Sequence, residues 1–173
     1  MKIQKECQIE KVASQDESRY AITEAYLDMG GDRPLLVATN GMAMAIIPVE
    51  TNEHDKAGPV SSDALKAARK ARQEITCNGS LSVTDGPQFP RRQDVQYPNW
   101  RQVVPDEKRE SKYQIGINVR ELWVLCQAMG CETVRLEFAD NTDAVVVVPT
   151  TIRNAKPAAN LEARGVIMPV RLA

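Results

Sequence analysis

Few side chains in this sequence are placed to do covalent chemistry. The single histidine, His54, sits in the polar stretch 51–58 beside Asp55 and Lys56, with no partner positioned for general-base work. Cys7, Cys77, Cys126 and Cys131 form no Cys-x-x-Cys pair and have no histidine beside them. Zinc sites and disulfide frameworks need tighter patterns, so reduced structural thiols are expected. Gly30-Gly31 falls at a hairpin rather than between a strand and a helix, which excludes a phosphate loop. Asp140 and Asp143 flank a turn, and that explains them without a metal. No Ser-His-Asp or Cys-His set can be assembled. The expectation is a protein with no catalytic residue, metal or cofactor.

One spacing does suggest a chemistry. Lys66, Arg69 and Lys70 share a face of a candidate helix, with Arg72 on its flank. Such a row contacts phosphates without reading sequence; the plainer alternative is a solvated helix face. The formal net charge of −1 leaves no generic polyanion binder, but a local basic surface needs no global excess. Hydrophobic residues at 43% and charged residues at 26% fit an ordinary folded chain with a real core. No apolar run is long enough to cross a bilayer, and the N-terminal residues lack a signal-peptide core, so a cytoplasmic protein is expected.

The elements that must position these residues come in repeats. Residues 19–28 are rich in strand formers. Residues 35–39 and 42–49 flank Asn40-Gly41, the dipeptide favoured by type I′ turns, so a three-stranded antiparallel meander is predicted. The apolar run 44–47 suggests burial on both faces. Ser61 or Ser62 can cap a helix with Asp63 in its first turn and Ala64, Leu65, Ala68 and Ala71 on one face. Strands are predicted at 74–78 and 81–84, then an extended, proline-broken segment over 95–104. The polar run 106–112 is the linker candidate. A strand at 113–117 leads to Asn118-x-x-Glu121, a capping box, and Leu122, Leu125, Cys126 and Met129 form the buried stripe of a second helix that Gly130 closes. Strands follow at 134–138, 144–148 and 166–172. The fold class is α+β, built from repeated βαβββ units with antiparallel sheets and helices on one face. The copies span 1–57, whose helix is weak or absent, 58–110 and 111–173.

Three segments carry a resemblance, in chain order. Met168-Pro169-Val170-Arg171-Leu172 closely resembles the terminal strand of bacterial DNA polymerase sliding clamps, the β subunit of the replicative polymerase. Residues 36–45, with Ala38-Thr39-Asn40-Gly41 at the turn, are similar to the clamp hairpin bearing Ala-Thr-Asp-Gly. Residues 97–105 resemble the family's Phe-Pro-Asp-Tyr-Arg segment. The resemblance aligns with the family's middle domain and then the second half of its last domain, without the first domain. It implies a reduced clamp whose paired units form domains, with helices lining a central hole.

In that family, partners insert a short peptide with glutamine and apolar or aromatic anchors into a groove between the middle and last domains. Carried over, the groove comprises Thr39, Gly41, Met42 and Met44 from the hairpin, Pro98, Gln102 and Val103 from the middle, and Val166, Met168, Pro169, Val170, Arg171 and Leu172 from the end. Ile22, on the strand after Arg19-Tyr20, is a weaker member. Met42-Ala43 replaces the polar, basic residues that usually follow Asp-Gly, making the rim more apolar. The resemblance implies a non-enzymatic processivity or docking factor for DNA polymerase or repair proteins carrying the motif. A clamp loader would be a further partner. It also implies a homo-oligomer that encircles double-stranded DNA through Lys66, Arg69, Lys70 and Arg72. The alternative is a clamp-derived adaptor or competitor that binds peptides without encircling DNA.

Overall fold

The computed structural model describes residues 1–105, 114–151 and 161–171. The chain divides into two units, Met1–Val104 and Pro105–Ala173. The linker candidate 106–112 and the start of the strand predicted at 113–117 lie outside the described residues, as does Leu172.

The first unit holds two copies of the repeat. The first copy's meander is β1 (Ala25–Asp28), β2 (Leu35–Thr39) and β3 (Met44–Pro48). In place of a helix it has the 3-10 turns Ile9–Lys11 and Glu17–Ile22. The second copy runs β4 (Gly58–Val60), α1 (Ser62–Ala71), β5 (Ile75–Cys77), β6 (Ser80–Val83) and β7 (Gln88–Pro90). Its sheet is ordered β5-β6-β7, whereas β4 joins the first copy's sheet, ordered β3-β2-β1-β4.

That crossing is reciprocal. β4 pairs antiparallel with β1, Leu27 opposite Gly58. In return, the first copy's leading segment lies on β5: the Ile75 amide donates to the Met1 carbonyl at 2.9 Å, and the Met1 ammonium to the Ile75 carbonyl at 2.6 Å. One apolar core lies beneath both copies, with Leu27, Leu36, Ala64, Leu65, Ala68, Ile75 and Leu81 fully buried. Each leucine so buried contributes about 2 kcal/mol.

Helix α1 begins as predicted, with the Ser61 hydroxyl accepting from the Ala64 amide at 3.3 Å. It ends on Arg72 in the left-handed region (φ 57°, ψ 38°), with the Gln73 amide donating back to the Ala68 carbonyl. A residue with a Cβ is strained there. Arg72→Gly is therefore expected to stabilise the protein by about 0.5–1 kcal/mol, read as a higher urea midpoint; a loss would show that the Arg72 side chain holds the helix end.

Three expectations for this unit are corrected. Residues 17–22 form a 3-10 turn, not a strand, because the Asp16 carboxylate accepts from the Ser18 amide and hydroxyl and bends the chain. The Asn40-Gly41 turn is not type I′. Only Gly41 has positive φ, at 86°, and the Asn40 side-chain oxygen instead accepts from the Met42 and Ala43 amides, opening a four-residue loop. β3 is not buried on both faces: it is the sheet edge, and Ile46 is exposed.

The second unit holds one copy: α2 (Val119–Ala128), then β8 (Val134–Glu137), β9 (Val145–Pro149) and β10 (Gly165–Ile167), in the order β10-β9-β8. Asn118 caps α2 by accepting from the Arg120 amide. At the other end Gly130 takes φ 62°, the Gly130 amide donates to the Gln127 carbonyl and the Cys131 amide to that of Cys126. This closure needs a left-handed residue after the last turn, which glycine supplies. Cys126, Met129, Val145, Val147 and Ile167 form the core. The terminal strand is shorter than predicted. It stops at Ile167, and after Met168-Pro169 the chain regains one bridge, the Val170 amide donating to the Gly116 carbonyl at 2.9 Å. A proline carries no N–H for a ladder. Among the described residues no helix is long and apolar enough to cross a membrane.

Candidate peptide-binding site

In the second unit the segment that leaves the sheet frames a cleft of about 580 Å³, lined by Gln114, Gly116, Asn141, Thr142 and residues 168–171. Met168 is 65% exposed and Val170 48%. Pro169 is half-buried between them, and Arg171 stands in solvent. On the other wall the Asp140 carboxylate holds the tip of the β8–β9 turn by accepting from the Thr142 amide and hydroxyl, both at 2.8 Å. Those bonds hold its carboxyl below the usual carboxylate range. The cleft sets apolar Met168, Pro169 and Val170 beside polar Gln114, Asn141, Thr142 and Arg171, a lining chemically suited to an extended peptide's side chains. Val166, on β10, is exposed on the sheet face.

The first unit carries the other assigned residues. The hairpin tip is built by side chains. Thr39 Oγ1 donates to the Ala43 carbonyl at 2.7 Å and accepts from the Gly41 amide at 3.0 Å. Arg19 donates to the Asn40 carbonyl at 3.0 Å. A Cβ on Gly41 would stand 2.9 Å from that guanidinium. The tip presents Met42, 92% exposed, while Met44 is half-buried and Thr39 buried. Ile22 ends the 3-10 turn Glu17–Ile22 rather than lying on a strand, and is half-buried.

Pro98, Gln102 and Val103 are exposed around the 3-10 turn Trp100–Val103. Two anchors hold this turn. Tyr97 stacks on Tyr26 with centroids 4.9 Å apart, and burial pushes its phenol up to about 12. Trp100, buried, donates through Nε1 to Asp28 Oδ2 at 2.8 Å, with the Arg101 guanidinium on the same oxygen and 4.5 Å from the indole centroid.

The basic row needs a correction at Arg69. Its guanidinium grips Glu10 in a two-pronged ion pair, Nη1 donating to Oε2 at 2.8 Å and Nη2 to Oε1. Side-chain exposures of 15% and 3% place that pair inside the unit. The arginine ties α1 to the turn Ile9–Lys11 and is not offered to a phosphate. Lys66, Lys70 and Arg72 remain exposed, Lys66 being 3.7 Å from Asp63. Arg72 stands off the helix's far end.

Sequence reasoning missed the buried polar anchors. Asp55, adjacent to the histidine it did consider, accepts from the Met1 ammonium at 2.7 Å, the Cys77 amide at 2.7 Å and the Asn52 amide at 3.0 Å. Nothing in local spacing signals such partners. His54 itself is exposed beside Glu53. All four cysteines are free thiols, and burial, with Asp55 nearby, pushes Cys77 up to about 11. Among the described residues no group of three or more His, Cys, Asp or Glu is placed to hold a metal.

The α+β architecture of three antiparallel meanders, the second and third each with a helix, is the sliding-clamp fold. The DNA polymerase III β subunit of Borrelia burgdorferi, solved in complex with a natural product, superposes with a TM-score of 0.68 at 18% identity, over 93% of this chain and 44% of that one. The clamps of C. crescentus (TM-score 0.46, 17% identity, 95% of this chain and 62% of that) and Thermotoga maritima (0.44, 16%, 96% and 63%) are also similar, and the fold assignment rests on the first. This chain thus spans less than two thirds of the clamps it resembles, a reduced clamp-like protein. No family model and no curated protein sequence matches it.

Proposed function

We propose that this protein is a sliding-clamp-like docking factor that binds short peptide motifs of replication or repair proteins and catalyses nothing itself. The observation that carries this reading is the Met168–Arg171 segment, which leaves its sheet and turns exposed apolar side chains into a cleft with a polar rim. A motif's apolar anchors pack against Met168 and Val170, while Asn141, Thr142 and Arg171 bond its polar atoms. The hairpin tip at Met42 and the turn at Pro98, Gln102 and Val103 give the first unit its own apolar contact surface, and they are assigned to the same class of ligand.

Titration of a labelled clamp-binding peptide, with glutamine and apolar or aromatic anchors, tests the reading. Met168→Ala is expected to weaken binding about tenfold, on the order of 1.4 kcal/mol. Absence of binding to the wild-type protein, or an affinity untouched by the substitution, would remove the basis for the site.

A second reading adds sequence-independent contact with duplex DNA, encircled by an oligomer. The exposed Lys66, Lys70 and Arg72 support it; the withdrawal of Arg69 and the apolar outer face of α2 favour the adaptor that does not encircle. If those three groups contact phosphates, log affinity falls against log salt with a slope of about −3. Retention on nicked circular but not linear DNA at raised salt is the outcome expected of a ring. Equal loss from both at raised salt identifies the adaptor.

A further inference from the structure

The first unit states a pairing rule that the second unit obeys by half. In the first unit, each copy's leading segment bonds to its own copy's tail: Lys2 bridges Glu50, and Arg91 donates to the Pro59 carbonyl. Each leading segment also pairs with the opening strand of the other copy's meander, β4 on β1 and Met1 on the first residue of β5. In the second unit the leading segment 114–117 bonds to its own tail through Gly116 and Val170. The second half of the rule has no counterpart there. β8 is a sheet edge, and among the described residues no strand pairs with its outer side.

The backbone phase locates the open groups. The Thr150 amide donates to the Thr133 carbonyl, making Thr133 and Thr150 a hydrogen-bonded pair. By the antiparallel alternation, Arg135 and Glu137 then point their amides at β9, and Val134 and Leu136 point theirs outward. The helix tells the same story. In the first unit, α1 is covered on its flank by the turn Ile9–Lys11, through Glu10 and Arg69. α2 instead leaves Val119 76%, Trp123 59% and Val124 54% exposed. A solitary three-stranded sheet under one helix buries little.

We propose that the second unit docks on the second unit of another copy of this chain. β8 of each pairs with segment 114–117 of the other, and the Val119, Trp123 and Val124 faces of the two α2 helices pack together. The contact is isologous, the same surface on both sides of a two-fold axis, and it rebuilds between two chains the two-copy domain that the first unit builds within one. It does not rest on the peptide reading: segment 114–117 lends Gln114 and Gly116 to the cleft, but β8 and the Val119, Trp123 and Val124 face of α2 lie outside it.

Light scattering on the full chain should give a dimer for wild type and for Ile46→Glu, which alters the exposed edge strand of the first unit, and a monomer for Trp123→Glu. Residue-resolved hydrogen exchange on the wild-type chain supplies the second measurement. The Val134 and Leu136 amides should slow by about tenfold or more as protein concentration rises through the dimerisation range. A chain that stays monomeric throughout overturns the proposal. So does a dimer broken by Ile46→Glu and not by Trp123→Glu, or exchange at Val134 and Leu136 that ignores concentration.

Discussion

Replacing Asp55 by alanine is expected to destabilise the protein by about 3–5 kcal/mol, the usual cost of leaving a buried charge without its partner. The Asp55 side chain and the Met1 ammonium are both fully buried. Without the carboxylate, that ammonium and the Cys77 and Asn52 amides lose their acceptor together. Asparagine should recover little, because its NH₂ must face one of those donors. Urea unfolding of the variants checks this; a cost below about 1 kcal/mol would mean that the ammonium finds water or another carbonyl.

The same group gives a pH signature. Burial alone would raise the Asp55 carboxyl, but the bonds from the Met1 ammonium and then from the two amides outweigh it, and the net direction is down. Burial is likewise outweighed by Arg101, Gly30 and Trp100 at Asp28, and by Arg69 at Glu10. A carboxyl whose folded value lies below its unfolded value, about 4, contributes stability that is fully present above the unfolded value. That contribution is lost as pH falls through the folded one. Wild-type stability should therefore drop steeply below about pH 4, and less steeply in Asp55→Ala.

The second large effect is expected at Arg91. This nearly buried arginine donates to three carbonyls: Pro59 at 2.9 Å, Asn78 at 3.0 Å and Lys56 at 2.8 Å. It joins β4 to the β5–β6 turn. The backbone makes room for it at Gly58, where φ is 140° and an added Cβ would meet the guanidinium at 2.9 Å. Arg91→Met leaves three acceptors without donors and should cost about 3 kcal/mol or more. Lysine should rescue less than half, since a point charge cannot reproduce a planar fork spread over three directions. Full rescue by lysine would show that charge rather than geometry matters there.

What could be read from the sequence was local. Ser61 and Asp63 announce α1, Asn118 and Gly130 bracket α2, and the apolar run 35–39 ahead of Asn40-Gly41 places β2, because caps and turn letters depend on neighbours a few residues away. The polar anchors depend on distant partners. Arg69 has the spacing of a solvated basic residue and is drawn in, to 15% side-chain exposure, only because Glu10, far off in sequence, meets it. Asn40-Gly41 has the letters of a tight turn, yet Asn40 bonds the loop amides instead. Of the candidate site, the residues' exposure at Met42, Met168 and Val170 follows from their ends of strands; the cleft at 168–171 depends on Pro169 releasing the chain and Val170 recapturing it, which no pattern of apolar letters displays.

The exchange of strands between the two copies in the first unit bears on how that unit forms. Neither sheet is complete until the other copy has arrived: β1 waits for β4, and β5 waits for a residue 74 positions earlier. Neither copy can mature alone as an autonomous kernel, and long loops must close before the rewarding contacts exist. The expected pathway is a single concerted passage with a late, slow barrier, and a nascent chain lacking β5 would remain open to proteolysis.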